Sequence, residues 1–88
     1  MPERDVRVVN SLGLHARPAA QFVRMASGFR SDVTLRRGDL AVNGKSIMGV
    51  MMLAAECGST LTISTTGDDA EQALEALAGL VAGGFGEQ

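Results

Sequence analysis

Residues 13–23 read GLHARPAAQFV and hold the only histidine of the chain, His15, with Arg17 and Pro18 just behind it. Proline is tolerated in the first turn of a helix, where the N–H groups have no intrahelical acceptor. The residues Ala19, Phe22, Val23 and Ala26 then fall at i, i+3, i+4 and i+7, an apolar helical stripe. This spacing predicts His15 at or next to the N-cap and Ala16, Arg17 and Pro18 in the first turn. Free first-turn N–H groups and the positive end of the helix dipole form an anion site, to which the Arg17 guanidinium adds a permanent charge. The same influences disfavour a second positive charge on the ring, and a neutral imidazole is a nucleophile. Together these residues suit one task. They can accept a phosphoryl group on a ring nitrogen, hold its charge on the N–H groups of Ala16 and Arg17 and on the Arg17 side chain, and pass it on. The dipole contributes about 0.3–1 kcal/mol, which tunes such a group without trapping it. A histidine at a helix start can also be a mere cap or surface residue, and the residues alone leave that reading open.

Other chemistries find less support. One histidine and one cysteine, Cys57, cannot furnish a zinc site, so no metal and no cofactor is expected. A Ser-His-Asp hydrolase would need a nucleophile elbow, and none is present. The stretch GDLAVNGKS, residues 38–46, misses a phosphate-binding P-loop because five residues, not four, separate the first glycine from GKS. Ser46 reads better as the N-cap of a short helix, with regulation as the sharper alternative. The triplet RGD, residues 37–39, lies in a predicted turn and is read as chance.

The elements that must position these groups follow from hydrophobic period. DVRVV alternates as a strand with Val6 and Val8 on one parity. In SDVTLRR, Val33 and Leu35 share one face while Thr34 and Arg36 take the other. Gly38 and Asp39 mark a tight turn into LAVN. TLTISTT buries Leu61 and Ile63 and turns Thr60, Thr62 and Ser64 outward. Gly28 is the C-terminal cap candidate of the first helix. Asp68 with Glu71 resembles a capping box for a last helix whose stripe is Ala70, Ala73, Leu74, Leu77 and Val81, stopped by Gly83 and Gly84. Between them SIMGVMMLAA is apolar nearly all round. Val50, Leu53 and Ala54 lie at core spacing and Ile47, Met48 and Met51 on another side, which predicts a Met-rich docking patch. The expected fold is α+β, a two-layer open-faced sandwich in which a four-stranded antiparallel sheet carries three helices on one face in the order βαββαβα.

With 88 residues the chain is expected to be a single domain, ordered over about 4–82, with a frayed glycine-rich tail at 83–88. The absence of Trp and Tyr and a net charge of −2 argue against a nucleic-acid platform. A lone cysteine cannot form an internal disulfide. MPERDV lacks an apolar signal core, and VMMLAA is far shorter than the roughly 18 residues of a membrane span, so a cytoplasmic protein without membrane insertion is expected.

GLHARPAAQFV, then VNGKSIMGVMMLAA and a final amphipathic helix, resembles the histidine-containing phosphocarrier (HPr) family of the bacterial phosphotransferase system over residues 4–82. The resemblance implies that His15 takes phosphate on Nδ1 from enzyme I, with phosphoenolpyruvate as ultimate donor, and delivers it to A-type domains of enzyme II in sugar uptake. It implies that Arg17 stabilises the phosphate, that Pro18 starts the helix and that Ser46 is the target of the HPr kinase/phosphorylase. Ile47, Met48 and Met51, with Ala20 and Arg24 on the adjoining helix, match the family's partner-docking surface. Leu12 departs from the family, since many relatives carry a polar residue just before the active-site glycine. LGLHAR with MGVMMLAA is also similar to the nitrogen-branch paralogue, which signals through a relay. The competing roles are therefore a nitrogen-branch regulatory carrier, a phosphoserine-dependent transcriptional co-effector and a plain structural adaptor. A monomer is expected, as for small carriers that alternate between weakly bound partners.

Overall fold

The computed structural model describes residues 2–87. Its elements are β1 (Glu3–Arg7), α1 (Ala16–Ser27), β2 (Asp32–Arg37), β3 (Leu40–Asn43), α2 (Ile47–Met52), β4 (Thr60–Thr66) and α3 (Ala70–Ala82), followed by a one-turn 3₁₀ segment at Gly84–Gly86. The strands form one antiparallel sheet in the order β1-β4-β2-β3. Period-2 alternation decides which face is buried: Val33, Leu35, Leu61 and Ile63 all point to the helix layer and are essentially inaccessible. There they meet Phe22 and Ala26 of α1, Val50 of α2, and Leu74, Leu77 and Val81 of α3. The α+β open-faced sandwich expected from the pattern is the fold observed.

Four details differ from the expectations. Thr62 lies on the open face yet is only 9% exposed. It sits on central β4, flanked by Asp5 of β1 and Arg36 of β2, and its hydroxyl donates to Asp5 Oδ1 at 2.8 Å. Its neighbours cover it. The N-cap of α3 is Asp69 rather than Asp68, and its carboxylate makes no cap bond within the helix. It instead accepts from the Arg30 N–H, the Ser31 N–H and the Ser31 hydroxyl, tying α3 to the turn between α1 and β2. Ala54, placed in the core by helical spacing, is exposed. The helix ends before it, Ala54 takes a φ of 49°, and the reversed chain buries Ala55 instead.

The fourth correction concerns the tail, expected to fray. Gly84, Phe85 and Gly86 all adopt positive φ, 69°, 58° and 74°, and this left-handed turn drives Phe85 into the core at 3% exposure. A phenylalanine in that region is strained by about 1–2 kcal/mol, less than the roughly 1.5–3 kcal/mol that its burial contributes. Glycine on either side lets the turn form without further strain. Gln88 lies outside the described residues.

Candidate functional site

The loop from Val8 to His15 is pinned before the helix begins. The Val8 N–H donates to Ser59 O at 2.8 Å and its carbonyl accepts from the Gly58 N–H at 2.7 Å, while the Leu14 N–H donates to Ala55 O at 2.8 Å. Gly13 is forced by this close approach. Its φ is 69°, and a Cβ there would stand 2.5 Å from Ala55 O. Leu14, 5% exposed, anchors the loop's end in the core, so His15 is delivered at a defined place.

His15 is the N-cap of α1, with extended backbone (φ −83°, ψ −170°) and no side-chain cap bond; its carbonyl accepts from the Ala19 N–H at 2.9 Å. Among the described residues the N–H groups of Ala16 and Arg17 have no backbone partner, and Pro18, which has none to offer, is buried as the third helical residue. The helix thus opens with free donors and no acidic side chain in its first turn. Arg17 is exposed beside them. This is the arrangement that the spacing predicted for His15, Ala16, Arg17 and Pro18.

Two polar partners of His15 come from elsewhere in the chain. Nε2 of His15 donates to the Glu87 carboxylate, whose two oxygens both lie 3.0 Å away. Asn10, 1% exposed, donates from Nδ2 to Gly13 O at 2.7 Å and to Glu87 Oε1 at 3.1 Å. The bond from His15 holds the Glu87 carboxyl below the usual glutamate range against the opposing effect of desolvation, helped by the Asn10 bond and by the charges of His15 and Arg17. Neither residue was foreseen. Glu87 is 72 residues from His15, and no local pattern reports so distant a contact. The available hint was Phe85, an apolar residue set between glycines in the tail.

Ser46 caps α2 as expected, its hydroxyl accepting from the Gly49 N–H at 3.1 Å. The Lys45 ammonium next to it is engaged elsewhere, on Phe29 O at 2.8 Å. Helix α2 packs against α1, and its outer side leaves Ile47, Met48, Met51 and Met52 at 46, 78, 43 and 66% exposure. On α1, Arg24 is exposed and Ala20 half-buried. Leu12, 74% exposed, adds an apolar side chain next to the His15 loop. Among the described residues no hydrogen bond joins Ser46 to His15. No helix among them is long and apolar enough to cross a membrane.

The chain is similar to known proteins over nearly its whole length. The family model described as the PTS HPr component phosphorylation site matches residues 2–83. The phosphocarrier protein HPr of Cupriavidus necator is 49% identical over 87 residues, covering 99% of this chain and 98% of that one. The crystal structure of HPr-C-His from Thermoanaerobacter tengcongensis superposes with a TM-score of 0.95 at 44% identity, covering 100% of this chain and 99% of that one. A crystal structure of an HPr dimer from the same organism superposes at 0.79 with 45% identity, covering 99% of this chain and 100% of that one. With a family model across nearly its whole length, close full-length relatives and the same fold, the chain belongs to the HPr phosphocarrier family of the phosphotransferase system.

Proposed function

We propose that this protein accepts a phosphoryl group on His15 from phosphorylated enzyme I and passes it to A-type domains of enzyme II in sugar uptake, in the cytoplasm and as a monomer. The observation that carries the reading is the placement of the one imidazole at the N-cap of α1, beside the free N–H groups of Ala16 and Arg17 and the Arg17 guanidinium. Those donors are fixed before any phosphate arrives, so no reorganisation is needed to hold its charge. The exposed apolar side chains of Ile47, Met48 and Met51, with Ala20 and Arg24 of the packed neighbour helix, are the docking surface in this account. Ser46 is the regulatory position: a phosphate on its hydroxyl would set about two negative charges beside an apolar surface that partners must desolvate. The test is incubation with labelled phosphoenolpyruvate and enzyme I. The wild-type chain should become labelled and His15→Ala should not; equal labelling of both would refute the assignment.

A further inference from the structure

The tail brings a carboxylate onto the ring nitrogen that the proposed reaction does not use. Both oxygens of Glu87 lie 3.0 Å from Nε2 of His15, and the two side chains are 18% and 37% exposed. Three contacts show that this is a built arrangement. Phe85 is buried at 3% exposure and fixes the turn, the Glu87 N–H donates to Gly84 O at 2.9 Å, and the buried Asn10 amide holds Glu87 Oε1 at 3.1 Å while also binding the carbonyl of Gly13. An ionised carboxylate can only accept hydrogen bonds, so Nε2 must carry the hydrogen. When the ring is neutral its lone pair is then on Nδ1, for which the described residues offer no hydrogen-bond partner.

We infer that Glu87 is a positioning residue for His15: it occupies Nε2, reserves Nδ1 as the attacking atom and balances the positive charge that the ring acquires when it takes up phosphate. The inference rests on the phosphocarrier reading for its purpose, although the occupation of Nε2 can be tested without it. In the step, the Nδ1 lone pair forms the N–P bond while the bond from phosphorus to the donor breaks and its electron pair leaves with the donor, a phosphohistidine on a partner protein. No proton leaves Nε2. The ring, phosphorylated at Nδ1 and protonated at Nε2, carries a positive charge against the Glu87 carboxylate, as an imidazolium does against a triad aspartate. On delivery the N–P electron pair returns to Nδ1, and Glu87 is again paired with a neutral Nε2–H. The Glu87 carboxylate, only 18% exposed, is partly withdrawn from water, while the His15 ring stays open to it.

The experiment uses the full chain and phosphoramidate, a small reagent that transfers its phosphoryl group to imidazole nitrogen with ammonia as the leaving group. Nitrogen and phosphorus NMR identify which ring nitrogen of His15 is phosphorylated. Wild type should yield the Nδ1 product, Glu87→Ala should yield a substantial Nε2 fraction, and Glu87→Gln should restore Nδ1 selectivity because its carbonyl oxygen can still accept from Nε2–H. A Glu87→Ala product distribution equal to that of wild type would overturn the inference, as would Glu87→Gln behaving like Glu87→Ala. A second arm measures uptake from phosphorylated enzyme I. There Glu87→Gln, which keeps the hydrogen bond and lacks the charge, should be slower on the order of tenfold, and an unchanged rate would overturn the charge-balancing part. Glu87-dependent nitrogen selectivity in a protein that takes nothing from enzyme I would instead uphold the occupation of Nε2 and refute the carrier reading.

Discussion

At the scale of single residues, the site divides into groups that act on charge and groups that hold the loop. Arg17 belongs to the first. It is exposed, so its replacement should change stability by no more than about 0.5 kcal/mol, whereas in the proposed reaction phosphate charge would develop beside it during transfer. Arg17→Ala is expected to slow phosphoryl transfer from enzyme I by about tenfold or more with little shift in the urea midpoint. Gly13 belongs to the second group. Ala at that position combines a φ of 69° with a Cβ 2.5 Å from a backbone oxygen that cannot move aside freely. Gly13→Ala should therefore be destabilising by about 2–4 kcal/mol in urea titration, and it should displace the His15 loop. The placement of His15 and Arg17 at the start of α1 is legible in the sequence because it depends on residue types and spacing within one turn. The contacts of Glu87 and Asn10 are not, because they arise only when the tail and the loop meet in space.

Among the elements, α2 and the tail show opposite degrees of legibility. Ser46 before an apolar run is a local capping signal, and the Ser46 hydroxyl does accept from the Gly49 N–H. Aspartate caps about as well as serine, so Ser46→Asp should keep the fold with a melting temperature equal to or above that of wild type. Its added charge beside Ile47, Met48 and Met51 should raise the KM of enzyme I for this protein. Calorimetry and initial rates measure both effects, and an unchanged KM would remove the Met-rich face from docking. The end of α2 was misread at Ala54 because helical spacing says nothing once the chain leaves the helix. The tail was misread because glycine content signals freedom, while Gly84 and Gly86 use that freedom for one left-handed turn that seats Phe85. Phe85→Ala should lower stability by about 3 kcal/mol, and it should break the Glu87 contact as well, seen as a changed His15 ring spectrum.

For the whole molecule, the sheet order and helix layer followed from two periods, and the long-range polar ties did not. Asp69 is the main such tie. The Ser31 hydroxyl above all, with the backbone N–H groups of Arg30 and Ser31, lowers its carboxyl from 3.8 to about 2. A carboxyl depressed on folding stabilises the native state above its unfolded value, and that contribution disappears as pH falls through the folded one. Stability should thus drop on acidification from 3.8 toward about 2, and Asp69→Asn should both lower stability at neutral pH and flatten that acid limb. Glu75, held below its usual range by its hydrogen bond from Arg4, adds to the same limb, but as half of an exposed pair it contributes little. An acid limb of equal slope in Asp69→Asn, followed by circular dichroism, would contradict the assignment. The central claim, that the fold serves to load a phosphoryl group on His15 and give it up again, is tested most directly by transfer from the isolated phosphorylated protein. Freed of enzyme I and phosphoenolpyruvate and mixed with an A-type domain of enzyme II, it should hand its group to that domain from an acid-labile, alkali-stable linkage on His15. A label that sits on another residue, or that is lost only to water in the presence of acceptor, would contradict the account.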